Sequence, residues 1–250
     1  MMLAEPTAEQ QGPTVTENPD GASPYVILCD HASNAMPPSY GMLGLKPADL
    51  IEHIAWDPGA LPVSQHLAER LDATLMWPDA SRLLVDCNRA PDAIDLIAET
   101  GEDREIAGNR GLSPDERQAR IAAIHQPYHA AIDACLDKRI AAGQACALVA
   151  IHSFTPVFKG EPRPWEVGVI FDKDATLANK VIEGLRADRS LNVGINQPYS
   201  PADRVFYTLK RHGQERGLPT VMIEIRNDEI AGAREQKEWA DRLAAILAGE

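Results

Sequence analysis

Short apolar runs alternate along this chain with longer stretches in which apolar residues recur every three or four positions. The short runs fall at 25–29, 73–77, 83–87, 147–151, 167–171, 193–196 and 220–225. They have the length and β-branched content of buried strands. The periodic stretches predict helices. One runs from 59 to 72 with Leu61, Val63, Leu67 and Leu71 on one face, and the last runs from 233 to 248 with Trp239, Leu243, Ile246 and Leu247 inward. Between them, Ser113-Pro114-Asp115-Glu116 reads as a capping box opening a helix to about 140, which Pro127 must kink or divide. A helix is also expected around 177–185, and another from Ser200-Pro201 to Gly213. Strands alternating with helices imply a single α/β domain whose mixed sheet is mostly parallel, with helices on both faces.

Residues 1–22 are polar and Pro-containing and predict a loose, flexible tail or an arm docked on a neighbour, leaving 23–250 as the domain. The 91–112 segment has no clean period and reads as a long surface loop or lid. A formal charge of −13, from 37 acidic and 24 basic residues, argues against a nucleic-acid partner and for a small-molecule one. Cys29, Cys87, Cys135 and Cys146 have neither metal-site spacing nor disulfide density, so buried thiols in a reducing cytoplasm are expected. No apolar run approaches the roughly 18 residues of a membrane helix, and no basic-then-apolar leader is visible. GxGxxG, GxxxxGK[ST] and GxSxG are all lacking from the sequence.

The candidate chemistry collects at strand ends. CDHASN follows the first run, VDCNRAP closes the third, His152-Ser153 follow the fourth, and MIEIRND ends the last. Ligands in α/β sheets sit at such ends. His31, Asp57 and His152 form a plausible N/N/O metal set that leaves a coordination position open on zinc, although Asp57 before Pro58 also suits a helix N-cap. Glu224, a glutamate inside an apolar strand, is the candidate general base, with pairing to Arg226 as its structural rival. Arg89, with Asn88 beside it, is the first candidate for holding an acidic substrate. Arg82, Arg204, Arg211, Arg226 and Ser153 are further candidates. His125 and His129, one turn apart, are more simply packing residues than ligands.

As a set these residues resemble the N-formylglutamate amidohydrolase family. The resemblance runs from about 25 to 230 through CDHASNAMP, HIAWDPGA, SRLLVDCNRAP, AIHSFTPVFKG with WEVGVIFD, and RHGQERGLPTVMIEIRND. It implies a fold similar to zinc carboxypeptidases and related phosphorylase/hydrolase-like amidases. It further implies one divalent metal, Zn²⁺, on His31, His152 and Asp57, Glu224 as the base, and hydrolysis of an N-formyl or similar N-acyl amino acid. In its first motif Asp30 precedes the histidine and Ala32 follows it, a departure from the members with proline before and glycine or threonine after. A binding protein that keeps the pocket without turnover, or an amidase acting on a peptide or cell-wall amide, are the alternative readings.

Overall fold

The computed structural model describes residues 13–249. Seven strands form one mixed sheet: β1 Thr14–Glu17, β2 Tyr25–Leu28, β3 Thr74–Pro78, β4 Ala147–Phe154, β5 Val167–Ile170, β6 Val193–Ile195 and β7 Thr220–Arg226, in the spatial order β1-β3-β2-β4-β7-β5-β6. The β3-β2, β2-β4, β4-β7 and β5-β6 pairs are parallel, whereas β1-β3 and β7-β5 are antiparallel. The reversal at β5 follows from its connection. Residues 155–166 between β4 and β5 hold only a small hairpin, Val157–Phe158 with Glu161–Pro162, and no helix that would carry the chain back for a parallel return.

Side-chain alternation along the two central strands builds two cores. Val149, Ile151, Val221 and Ile223 face one side with α1 (Ala60–Leu71), α4 (Thr176–Ala187) and α6 (Ala233–Ala248). Leu148, Ala150 and Met222 face the other, with α2 (Pro114–Arg120), α3 (Gln126–Ala141) and α5 (Tyr207–His212) on that side. Strand residues two apart share a face. His152 therefore continues the Leu148-Ala150 row and Glu224 the Met222 row, and the two are directly opposed in the β4-β7 register. Two polar residues thus stand on the second core's face, at the carboxyl end of neighbouring parallel strands.

Several expectations meet differences. Residues 1–12 of the expected tail lie outside the described residues, and within the remainder β1 pairs with β3 as an edge strand of the chain's own sheet. The 83–87 run is buried but joins no sheet. Its backbone is satisfied from elsewhere: Asn109 Nδ2 donates to Leu83 O at 2.8 Å, Arg120 Nη1 to Leu84 O at 3.3 Å, and Asp86 N to Leu96 O at 2.8 Å. The 91–112 segment contributes Leu96, Ile97 and Ile106 to the second core, so it is an anchored loop. The capping box at Ser113 is present, and the helix passes Pro127 through a π-helical turn at Ile121–His125. The expected 200–213 helix is shorter. Ser200 caps a single 3₁₀ turn, Arg204 takes φ +63°, and α5 begins only at Tyr207, after Phe206 has entered the core. The four cysteines are free, Cys135 being only partly buried. Among the described residues no helix is long and apolar enough to cross a membrane.

Candidate active site

Strand ends and the loop before α1 bring four buried ionisable groups together: His31, Asp57, His152 and Glu224, at 5, 1, 2 and 4 % exposure. His31 follows β2 after Cys29-Asp30. Asp57 comes from the loop before α1, where its backbone N–H donates to the His31 carbonyl at 2.9 Å and ties loop to strand end. Gly59 lets this loop turn: it adopts φ +84°, and a Cβ there would lie 2.5 Å from the Ile230 carbonyl. Gly59, not Asp57, occupies the N-cap position of α1, so the Asp57 carboxylate is left for the site.

Hydrogen bonding fixes which nitrogens face inward. His31 Nε2 lies 2.7 Å from Asp86 Oδ1, and His152 Nε2 lies 3.1 Å from Asp30 Oδ2. A carboxylate only accepts, so each Nε2 carries a hydrogen, and in a neutral ring Nδ1 is then the lone-pair nitrogen; His152 Nδ1 is nonetheless in hydrogen-bond contact with Asp57 Oδ2. Both Nδ1 atoms point at Asp57 Oδ2, at 3.4 Å from His31 and 2.9 Å from His152. Three acceptors therefore converge, their ligand atoms all within 4.8 Å of one another. Acceptors held face to face in a buried site repel unless a cation or a proton lies among them. Among the described residues His31 Nδ1 finds no hydrogen-bond partner. Two imidazole nitrogens and a carboxylate oxygen, with a carboxylate behind each ring, suit a catalytic divalent metal. Burial, with the charge of Arg82, pushes His31 down to about 4, leaving it in the neutral form that ligates.

Those backing carboxylates are themselves braced. Asp30 Oδ1 accepts from Tyr128 Oη at 2.8 Å and Thr208 Oγ1 at 2.9 Å. Burial would raise both carboxyls, but His152 holds Asp30, and His31 with Arg89 holds Asp86, below the ordinary range. Glu224 differs. Burial pushes its carboxyl up while the charges of His152, His31, Arg82 and Arg163 pull it back, and its Oε2 is buried with no hydrogen-bond partner. A desolvated, unengaged carboxylate at the cavity wall has the properties of a general base.

A cavity of about 110 Å³ is enclosed by His31, Asp57, His152, Glu224, Arg82 and Tyr199, among others. It shares His53, Arg82 and Arg89 with a neighbouring cavity of about 300 Å³. The smaller, inner space holds the four ionisable groups, and the larger, outer one adjoins it.

The sequence-derived substrate candidates fare unequally. Arg89 and Asn88 line the inner cavity but are engaged within the protein. Arg89 bonds Asp95 at 3.0 Å and the Asn88 and Arg204 carbonyls at 3.1 Å each, and Asn88 donates to the Val205 carbonyl while accepting from Thr208 N at 3.1 Å. The Ser153 backbone N–H supports Asp57 Oδ2 at 3.3 Å, whereas its hydroxyl donates to Pro58 O at 2.9 Å. Arg204 pairs with Asp95. Arg211 and Arg226 are not brought to the cavity: Arg211 pairs with Asp133, and Arg226 with Asp228, Glu229 and Glu166. Glu224 is therefore not paired with Arg226. Arg82 forms an ion pair with Asp57 inside the site. His125 and His129 are struts: His125 Nε2 meets Arg89 O at 2.9 Å and His129 Nε2 meets Cys87 O at 2.9 Å, with His129 Nδ1 on His212 Nε2 at 2.7 Å.

Sequence reasoning gave no role to Asp30, Asp86, His53 or Tyr199. The carboxylates stood in view inside CDHASN and VDCNRAP, but sequence order misleads about partners, because Asp30 backs His152 and not its neighbour His31. His53 bridges the Ser153 carbonyl at 2.8 Å and Asp57 Oδ1 at 3.3 Å. Its place in HIAWD, four residues before Asp57, was the available signal.

A sequence profile described as N-formylglutamate amidohydrolase matches residues 23–231. Among solved structures, a gene product of Agrobacterium tumefaciens superposes with a TM-score of 0.93 at 40% identity, over 96% of this chain and 94% of that one. An N-formylglutamate amidohydrolase from Ralstonia eutropha JMP134 superposes with a TM-score of 0.72 at 20% identity, over 96% and 98%, and shares the fold. Among proteins of curated function none is detectably similar in sequence.

Proposed function

Because the chain belongs to the N-formylglutamate amidohydrolase family, we propose that it is a zinc-dependent enzyme cleaving the amide of a small N-acyl amino acid, most simply N-formyl-L-glutamate to L-glutamate and formate. The observation that carries this reading is the convergence of His31 Nδ1, His152 Nδ1 and Asp57 Oδ2 in the cavity that the unpartnered Glu224 Oε2 also lines. These three side chains would hold the ion, which when bound supplies Lewis acidity toward the amide carbonyl and the attacking water.

The protein's own groups account for the proton movements. Glu224 Oε2 removes a proton from water as the water oxygen bonds to the acyl carbon, and the same carboxyl returns the proton to the amide nitrogen as the C–N bond breaks. The products are a carboxylic acid and an amine, which part as carboxylate and ammonium once the acid's remaining proton has passed to the amine. Arg82 Nη2 is held by Asp57, whereas its Nε is buried without a hydrogen-bond partner among the described residues and so is available to the carbonyl oxygen as negative charge develops on it. The inner cavity, about 110 Å³, favours a formyl or comparably small acyl group. A cytoplasmic location accords with four free cysteines.

The test is elemental analysis of protein purified without chelator, together with amine release from N-formyl-L-glutamate. Stoichiometric zinc and activity should both disappear in His31→Ala and His152→Ala while the fold persists. Metal-free protein with full activity overturns the reading, and tight binding of N-formyl-L-glutamate without turnover would replace it by a binding function.

A further inference from the structure

Arginines around the cleft divide by what holds them. Arg82 is paired with Asp57, Arg89 with Asp95, and Arg226 with three carboxylates. Arg163 has no carboxylate partner among the described residues, although it is only 8 % exposed. Two other buried arginines without ion pairs show how such a cation is ordinarily satisfied. Arg139 donates to the Ser23 and Gly21 carbonyls and to Thr74 Oγ1 at 2.7 to 2.8 Å, and Arg120 donates to Asn109 Oδ1 at 2.6 Å and to two carbonyls. Arg163 makes only two long bonds of 3.4 Å, both from Nη1 and both to Thr155. Among the described residues its Nε and Nη2 donate to no carboxylate or carbonyl, although the Tyr199 phenol interacts with the guanidinium.

What holds Arg163 instead is a set of aromatic rings. Its Cζ lies 4.6 Å from the Phe158 ring centroid, 4.8 Å from that of Tyr199 and 5.6 Å from that of Phe154. Rings cover the faces of a guanidinium and leave its N–H edge free, so they fix the plane without using the donors. Tyr199 lines the inner cavity with Glu224 and His152, and Phe158 lines the outer one with Arg82 and Arg89. Arg163 is therefore packed against one wall residue of each cavity. Its backbone is pinned as well: Arg163 N donates to Pro156 O at 2.8 Å, and Arg226 Nη1 reaches Trp165 O at 3.3 Å.

We propose that Arg163 is the specificity-determining residue that binds the substrate's carboxylate, so that this enzyme selects N-acyl amino acids with a free carboxylate over their neutral amides. The inference rests on the amidohydrolase reading for the position of the acyl group. A buried, unneutralised guanidinium is unfavourable until an anion meets it, and a carboxylate accepts two parallel N–H bonds from its edge. Arg89, the cation that sequence order favours, is already neutralised by Asp86 and Asp95, and a substrate would have to displace them.

The measurement is the ratio of kcat/KM for N-formyl-L-glutamate to that for N-formyl-L-glutamine amide, in wild type, Arg163→Gln and Arg163→Lys, with calorimetric binding of N-formyl-L-glutamate to chelator-treated protein. Arg163→Gln should lower the ratio by roughly 30- to 1000-fold, chiefly through KM, and weaken binding of N-formyl-L-glutamate to a similar extent. Lysine restores charge without the planar fork and should recover only part of either quantity. An unchanged ratio with unchanged binding overturns the proposal, as does a wild type that fails to bind N-formyl-L-glutamate. If wild type binds this probe in an Arg163-dependent way yet hydrolyses neither substrate, the amidohydrolase reading fails while the carboxylate site stands. Thermal unfolding of each variant, expected to stay near the wild-type Tm, shows that the hairpin and sheet remain folded.

Discussion

Two buried histidine clusters lie on the same side of the sheet, and they do different things. His31 and His152 form one, with ring centroids 5.0 Å apart, and His129 and His212 form the other, also at 5.0 Å. In both, burial depresses basicity, to about 4 for His31 and about 2 for His129. Carboxylates accompany both. The difference is in the inward nitrogens. Each nitrogen of His129 and His212 is engaged by the Cys87 carbonyl, the partner ring or Asp133, whereas among the described residues His31 Nδ1 has no hydrogen-bond partner and His152 Nδ1 meets only Asp57 Oδ2. Burial and a shifted pKa mark structural and chemical histidines alike, and atoms without a satisfying partner separate them.

The comparison can be broken in several ways. The largest effect should come from Glu224→Gln, which keeps the shape of the site but removes the carboxylate proposed as the base. The expected fall in kcat is roughly 10²- to 10⁴-fold with metal content unchanged, read by steady-state kinetics beside elemental analysis. Loss of metal in that variant would make Glu224 a ligand.

Next is a matched pair. Asp86→Asn weakens the partner behind His31 and should reduce zinc affinity about 10- to 100-fold in a competition titration. Asp133→Asn makes the equivalent change behind His212 and should leave zinc affinity within about threefold, acting on thermal stability instead. Equal losses of affinity in the two variants would erase the distinction between the clusters.

A third test uses acid. His129 is neutral when folded because burial, with the charges of His125 and His212, holds its pKa near 2, against an ordinary value of 6.5. Below 6.5 the unfolded chain therefore binds a proton that the folded protein refuses, and stability is lost as pH falls from about 6.5 toward 2. At pH 5 this contributes about 2 kcal/mol, from 1.36 kcal/mol per pH unit. Denaturant unfolding should show a shallower decline between pH 6.5 and 5 in His129→Gln, and an identical slope would mean that His129 is not the refusing group. The smallest effect belongs to Ser153→Ala. Its hydroxyl is bonded to Pro58 O, so the change should cost about 0.5–1.5 kcal/mol of stability and leave KM within about threefold. A large rise in KM would return Ser153 to the substrate.

Much of this molecule follows from sequence. Apolar runs and helical periods located β2, β3, β7, α1 and α6 within a residue or two, and the start of β4, which runs three residues beyond its apolar stretch to Phe154. Strand parity places His152 and Glu224 at sheet positions facing the second core. Residue chemistry supplied the N/N/O donor set. Local patterning failed at 83–87, where a buried run has its backbone satisfied by Asn109 and Arg120 from distant segments, and at 200–206, where the φ of Arg204 stops the helix that Ser200 begins. The tertiary structure alone decided that Glu224 stands opposite His152, that Asp30 backs His152, and which arginine keeps free donors. Secondary structure is set largely by neighbours in the chain. Charge pairing is set by neighbours in space, so the engagement of Arg89 by Asp95 and the caging of Arg163 by Phe158 and Tyr199 come into being only when the sheet brings those loops together.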